Sequence, residues 1–260
     1  DWAGTTVDYG SSAPAAVFAE IFEEAGVKLT RQEINGPMGM EKKAHIRALL
    51  SLENVGKQWE ERYGRPWTED DVQALYERFE NRLSEVVARY SAPIEDVAQT
   101  VGRLREMGLK IGSTTGYNAQ MMEHVIPAAK AGGYEPDCIV TPDATGQGRP
   151  SPFMVFECMR RMNVYPPRNV VKVGDTAADI LEGKNAGAWS IGILEASNLL
   201  GLTKEEYDGM DEALREEKKT EARRKYLEAG ADLVIDSIRE LPDAVERLNR
   251  AMEEERRWLS

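Results

Sequence analysis

The sequence predicts an α/β fold, with a Rossmann-like parallel-sheet core into which an all-helical unit is inserted. Three observations lead there. From Ala92 onward short apolar runs alternate with helical stretches; residues 11–90 read as helix after helix with no convincing strand; and polar residues able to do chemistry stand at the ends of several apolar runs.

The opening DWAGTTVDYG, residues 1–10, reads as a loop belonging to the core. In the stretches PAAVFAEIFEEAGV, EKKAHIRALL and TEDDVQALYERFENRLSEVVARY, apolar residues recur three and four apart, the period of a helix with one buried face. Residues 11–90 are therefore expected to form a helical domain. IEDVAQTVGRLREMG then leads into the short run LKIGS, and DCIVTPD, VVKVGD, WSIGIL and ADLVIDS follow with helical sequence between them. Such alternation is the mark of βαβ units, so residues 91–260 are expected to complete the core. TKEEYDGMDEALREEKKTEARRKYLEAG is so densely charged that it reads as one solvated surface helix.

The chain has 260 residues, enough for a core domain with a smaller inserted one. Its 45 acidic side chains outnumber 33 basic ones, and a net charge of −12 argues against nucleic acid or an anionic membrane as partner. An anionic small molecule would need local cations to overcome that field. Two cysteines without CxxC spacing and only two histidines, His45 and His124, argue against a zinc site or a disulfide scaffold. A reducing cytoplasm fits best. No apolar run approaches ~18 residues, so a soluble, untargeted chain is expected.

Ligands of such folds gather at the carboxyl ends of the strands, and four stretches could converge there. In DWAGTTVD, Gly4 permits a tight turn whose amides, with Asp1, would face an anion. KIGSTTGY ends a strand in Ser113, Thr114 and Thr115, whose hydroxyls suit phosphoryl oxygens, although ordinary turn residues would look the same. In GQGRPSP the prolines restrict the loop that carries Arg149, which taken alone could equally be a surface arginine. VVKVGDTAAD delivers Asp175 at a strand end and Asp179 four residues on. Hard carboxylates with room for water suit Mg²⁺.

In this order, the constellation resembles the haloacid dehalogenase superfamily of phosphoryl-transfer enzymes. The resemblance implies a nucleophilic Asp1 that becomes phosphorylated, phosphoryl binding by Thr115 and Arg149, and Mg²⁺ held by Asp1, the Ala3 carbonyl and Asp175, with Asp179 supporting the metal's water shell. The helical insertion would then be a cap that closes over the site and excludes water. One position departs from the usual pattern. Ala3 stands where many members carry a second Asp that protonates an oxygen leaving group, and alanine cannot do so.

A carbon leaving group would explain that loss, because breaking a carbon–phosphorus bond beside a carbonyl calls for an electron sink. A lysine imine is one. The stretch GPMGMEKKAHIRALL, with DWAGTTVDYG, STTGY and GRPSP, closely resembles the phosphonoacetaldehyde hydrolase (phosphonatase) family over nearly the whole chain. This implies Mg²⁺-dependent hydrolysis of phosphonoacetaldehyde to acetaldehyde and phosphate, an imine on Lys42, Met38 and His45 lining the site, Gly116 beside the bound substrate, and a homodimer through the caps. Chemistry alone does not choose Lys42 over Lys43, although Lys42 shares a helical face with His45, Ile46 and Leu49. Ser11 stands where a cysteine is usual in the family. Members also carry about ten more residues before the nucleophile, including a first strand, so a longer natural chain is expected. The alternatives are a phosphate-ester phosphatase or phosphomutase of the same superfamily, or an inactive binding protein.

Overall fold

Five short strands and thirteen α-helices make up the described residues, 1–259, of the computed structural model. After the opening loop the chain runs through α1 (Ser12–Glu24), α2 (Arg31–Asn35), α3 (Lys42–Leu50), α4 (Glu53–Tyr63) and α5 (Glu69–Val86). Phe18, Ile21, Phe22, Ile46, Leu49, Phe79 and Leu83 from three of these helices are buried together, as the three-and-four spacing requires. Local chemistry fixes the helix starts. Thr30 and Thr68 form capping boxes with Glu33 and Asp71, and the Glu41 carboxylate accepts from the amides of Lys43 and Ala44, so that α3 begins at Lys42.

The rest of the chain alternates as expected: α6 (Val97–Glu106), β1 (Gly112–Thr114), α7 (Ala119–Ala131), β2 (Cys138–Val140), α8 (Pro142–Thr145), α9 (Phe153–Met162), β3 (Val171–Gly174), α10 (Ala177–Ala186), β4 (Trp189–Ile193), α11 (Lys204–Asp208), α12 (Glu212–Glu228), β5 (Leu233–Ile235) and α13 (Leu241–Leu259). All strand pairing within the sheets is parallel. β1 pairs with β2, Gly112 opposite Cys138; β3, β4 and β5 form a second sheet, with Val171 opposite Trp189 and Ile191 opposite Leu233. A cleft of about 530 Å³, with Ile111, Val155, Val171, Val173 and Asp1 among its lining, lies between β1 and β3. The predicted α/β class with a helical insertion therefore stands.

One expected element differs. The charged stretch after Leu202 is two helices, because the chain turns at Gly209 and Met210 and the Asp211 carboxylate caps α12 anew. Nor is it wholly solvated. Ala222 and Tyr226 are buried, and the Tyr226 hydroxyl lies 2.7 Å from the carbonyl oxygens of both Asp175 and Ile193.

Candidate active site

The opening loop is a compact knot of backbone hydrogen bonds. The amides of Thr5, Thr6 and Val7 converge on the Trp2 carbonyl at 2.8–3.1 Å, while the Trp2 side chain is fully buried against the edge of Tyr134. Gly4 has φ +80°, and a Cβ there would overlap the Asp175 carboxylate, so only glycine lets this loop lie against the end of β3. The Asp1 nitrogen donates to the Val173 carbonyl (3.3 Å), and the Thr5 hydroxyl lies 3.1 Å from Asp1 Oδ2 and 3.2 Å from Asp175 Oδ1. Asp1 and Asp175 are thus held side by side.

Asp1, Ala3, Met38, Lys42, Thr115, Gly116, Arg149 and Asp175 all line one small cavity where the helical insertion meets the core. His45 does not reach its wall. It lies behind Lys42, fully buried, with its ring 4.0 Å from that of Phe18 and Nε2 3.0 Å from the Ile34 carbonyl. Asp179 is likewise one step back, bonded to the Thr176 hydroxyl (2.6 Å) and to Lys172. A Cβ on Gly116 would come 2.6 Å from the Met40 carbonyl, so this glycine allows the Met38–Met40 loop to seat on the core. The Thr115 hydroxyl accepts from the Tyr117 amide (3.0 Å) and keeps its proton free to donate.

Arg149 is buried and fully engaged. Its Nε donates to Glu182 Oε2 (3.0 Å), Nη2 to Thr114 O (2.8 Å), Thr114 Oγ1 (2.9 Å) and Asp1 Oδ1 (2.7 Å), and Nη1 to Asp179 Oδ1 (3.1 Å) and Gly39 O (3.4 Å). It joins three core segments to the insertion. Burial opposes its charge, but Asp179 and Glu182 more than offset this and raise its pKa.

Carboxylate oxygens of Asp1, Asp175 and Asp179 lie within 4.8 Å of one another. Burial, and then the neighbouring Asp179, push the Asp175 carboxyl upward. Burial would raise Asp179 too, yet Arg149 and Lys172 hold it below the usual carboxylate range. A buried carboxylate that lacks an adequate counter-charge, beside two more and a backbone carbonyl, is a donor set that fits a hard divalent cation.

Lys42 is the other unusual group. Its Nζ lies 4.0 Å from Met38 Sδ, 5.2 Å from the centre of the Tyr117 ring and 6.0 Å from that of Phe18. Burial first, and then Arg149, lower its pKa to about 8 against the opposing pull of Glu41, Asp175 and Asp8. Burial and the charge of Lys42 also keep His45 well below its ordinary value, hence neutral. Lys43 points elsewhere and donates to Gln73 (2.6 Å). Three residues that sequence reasoning did not single out complete the surroundings: Tyr117, whose buried hydroxyl has no hydrogen-bond partner among the described residues, and the buried pair Lys172 and Glu182. Lys172 interrupts the apolar run VVKVGD and Glu182 stands three residues after Asp179 on one helix face, but neither position names its partner.

The chain is similar to known proteins along most of its length. Residues 1–187 match the haloacid dehalogenase-like hydrolase family. The phosphonoacetaldehyde hydrolase of Bacillus cytotoxicus is 46% identical over 250 residues, covering 96% of this chain and 95% of that protein, and its Bacillus cereus counterpart is 44% identical over the same shares. The crystal structure of a phosphonoacetaldehyde hydrolase-like protein from Oleispira antarctica superposes with a TM-score of 0.93 at 34% identity, over 96% of this chain and 91% of that one. With the parallel-strand core, the helical insertion and the cavity between them, these likenesses establish that the chain belongs to the haloacid dehalogenase-like hydrolases and, within them, to the phosphonoacetaldehyde hydrolase family.

Proposed function

We propose that the chain hydrolyses the carbon–phosphorus bond of phosphonoacetaldehyde, yielding acetaldehyde and phosphate, in a Mg²⁺-dependent reaction. The observation that carries this reading is a desolvated lysine, Lys42, in one cavity with Asp1, Arg149 and the acid-free position Ala3. An oxygen leaving group calls for a proton, whereas a carbon leaving group calls for an electron sink. Lys42 is the sink.

Its neutral amine attacks the aldehyde carbon, the resulting carbinolamine takes up a proton from solvent, and water departs to leave a protonated imine. An Asp1 carboxylate oxygen then attacks phosphorus, and the electron pair of the breaking C–P bond flows into the imine to give an enamine. Protonation of the enamine at carbon and hydrolysis of the imine return Lys42 and release acetaldehyde. Water cleaves the aspartyl phosphate and restores Asp1. Thr115, Arg149 and the Gly116 amide hold phosphoryl oxygens, while Met38 and Tyr117 keep bulk water from the amine. His45, neutral behind Lys42, adds no second cation that would repel an iminium. Asp1, the Ala3 carbonyl and Asp175 would hold Mg²⁺, with Asp179 steadying its water shell, and the ion would supply charge neutralisation for the reaction of two anions.

Residues 11–90 would act as the cap over a core made of 1–10 and 91–260. A homodimer through the caps follows from the family resemblance. A cytoplasmic setting is supported by the free, buried Cys138 and Cys158, and no helix among the described residues is long and apolar enough to cross a membrane. The test is phosphate release from phosphonoacetaldehyde with and without Mg²⁺, beside release from a generic phosphate ester. Release from the ester alone would favour a phosphatase and overturn this reading.

A further inference from the structure

The six acceptors around the Arg149 guanidinium fall into two groups. Glu182 Oε2, the two oxygens of Thr114 and Asp179 Oδ1 belong to residues outside the cavity lining; the first three grip Nε and the adjoining side of Nη2 at 2.8–3.0 Å, and Asp179 meets Nη1 at 3.1 Å. On the cavity side, the contacts are Asp1 Oδ1 and, more loosely, Gly39 O. If Asp1 is to swing onto phosphorus, its contact with Arg149 must be given up, and the vacated N–H becomes available to a phosphoryl oxygen. The guanidinium can exchange partners on one side without losing aim only if its other side stays fixed.

We propose that Glu182 is a positioning residue for Arg149, the fixed anchor that keeps the guanidinium aimed while its cavity-side donors pass from Asp1 and Gly39 to the phosphoryl group. This rests on the reading of Arg149 as the phosphoryl-binding arginine. Glu182 is wholly buried on α10, its Oε2 also accepts from the Thr114 hydroxyl (2.9 Å), and Lys172 Nζ is 3.4 Å away. A leucine or methionine would fill the space without the cost of desolvating a carboxylate, so packing does not explain the residue. Geometry does. A carboxylate bonded to Nε fixes the plane of the guanidinium, which a single contact through Nη1 or Nη2 would leave free to tilt.

The test is a double-mutant cycle of Glu182→Gln with Arg149→Lys in the full chain, reading kcat, KM for phosphonoacetaldehyde and the inhibition constant of inorganic phosphate. Glu182→Gln keeps shape and an acceptor oxygen but loses the charge. Phosphate should bind about tenfold more weakly and kcat should fall by a similar factor. In the Arg149→Lys background, which has no Nε–H to anchor, the same change should have less than a twofold effect. Cyanoborohydride trapping of acetaldehyde on Lys42, which needs no phosphoryl grip, should stay within twofold of wild type. Equal losses in both backgrounds, or an unchanged phosphate constant, would overturn the proposal. Should Glu182→Gln fail to fold by circular dichroism, Glu182→Asp decides, since it keeps the charge but withdraws it from Nε: weaker phosphate binding supports the anchor, and wild-type binding refutes it. Absence of trapping in the wild type would count against the lysine chemistry instead, and leave the phosphate measurements to judge Glu182.

Discussion

Lys42 Nζ lies 5.2 Å from the centre of the Tyr117 ring, a buried amine against an aromatic face in place of water. The ring attracts the cation, but the loss of hydration outweighs that gain, and the pKa falls from 10.5 to about 8. At pH 7 roughly one amine in ten is then neutral, against about three in ten thousand for an ordinary lysine. Cyanoborohydride trapping of acetaldehyde should therefore rise about tenfold per pH unit below pH 8 and level off above it. Lys42→Arg should abolish trapping and turnover while the circular dichroism spectrum is retained. A midpoint above pH 10, or an adduct mapped by mass spectrometry to Lys43, would refute the assignment.

The same burial carries a stability consequence. Between pH 8 and 10.5 the unfolded chain holds the Lys42 proton and the folded chain releases it, so this residue makes stability rise with pH across that window. Below pH 8 the folded protein bears the full cost of a buried ammonium. Lys42→Met keeps the volume and removes the charge, and should raise unfolding free energy at pH 7 by up to about 3 kcal/mol, with the difference gone above pH 10.5. Urea denaturation at pH 7 and at high pH measures it. An equal gain at both would point to packing instead.

Asp1, Asp175 and Asp179 crowd three carboxylates within 4.8 Å, and a cation that binds only the folded state stabilises it by mass action. Millimolar Mg²⁺ should raise the melting temperature by several degrees. Asp175→Asn should remove most of that shift, and it should also raise the melting temperature measured without metal, because it relieves the repulsion. A full Mg²⁺ shift in Asp175→Asn would move the site elsewhere.

The order of strands and helices was legible because burial imposes a period, and the five strands fall on the five apolar runs. Within the insertion, α4 was harder to read, since only Val55 and Trp59 of its eleven residues are buried and the rest are mostly polar. Asp1, Thr115, Arg149 and Asp175 could be named from motifs at strand ends. The choice of Lys42 over Lys43 came from the family resemblance, with helical spacing adding little; in the structure Lys42 is buried with His45, Ile46 and Leu49 while Lys43 turns to Gln73. Glu182 was out of reach for a different reason. Its partners Arg149 and Thr114 are 33 and 68 residues away along the chain, and no local pattern records a contact made through tertiary packing.

Tyr226 is another such residue, in a helix whose charge disguises its buried face. Its hydroxyl lies 2.7 Å from the carbonyls of Asp175 and Ile193, and its ring packs where a Cβ on Gly192 would stand. Tyr226→Phe should cost about 1–2 kcal/mol in urea denaturation, because it leaves a buried carbonyl without its donor. It should also weaken Mg²⁺ binding a few-fold, because the backbone of Asp175 loses its tether. Loss of stability with unchanged Mg²⁺ affinity would confine Tyr226 to packing.

Ala3 closes the account of leaving-group chemistry. It lines the cavity that holds Lys42 and Asp1. If the C–P bond is broken with an imine as electron sink, an acid at this position has nothing to protonate. Ala3→Asp would place a fourth carboxylate beside Asp1, Asp175 and Asp179 and oppose the approach of a phosphonate dianion. Turnover of phosphonoacetaldehyde should fall tenfold or more, mainly through KM as the anion is repelled, while imine trapping on Lys42 with acetaldehyde, which carries no charge, should persist. The same substitution restores the acid that an oxygen leaving group requires, so hydrolysis of a simple phosphate ester should hold steady or increase. Faster C–P cleavage in Ala3→Asp would mean that a proton, and not the lysine imine, limits the departure of carbon.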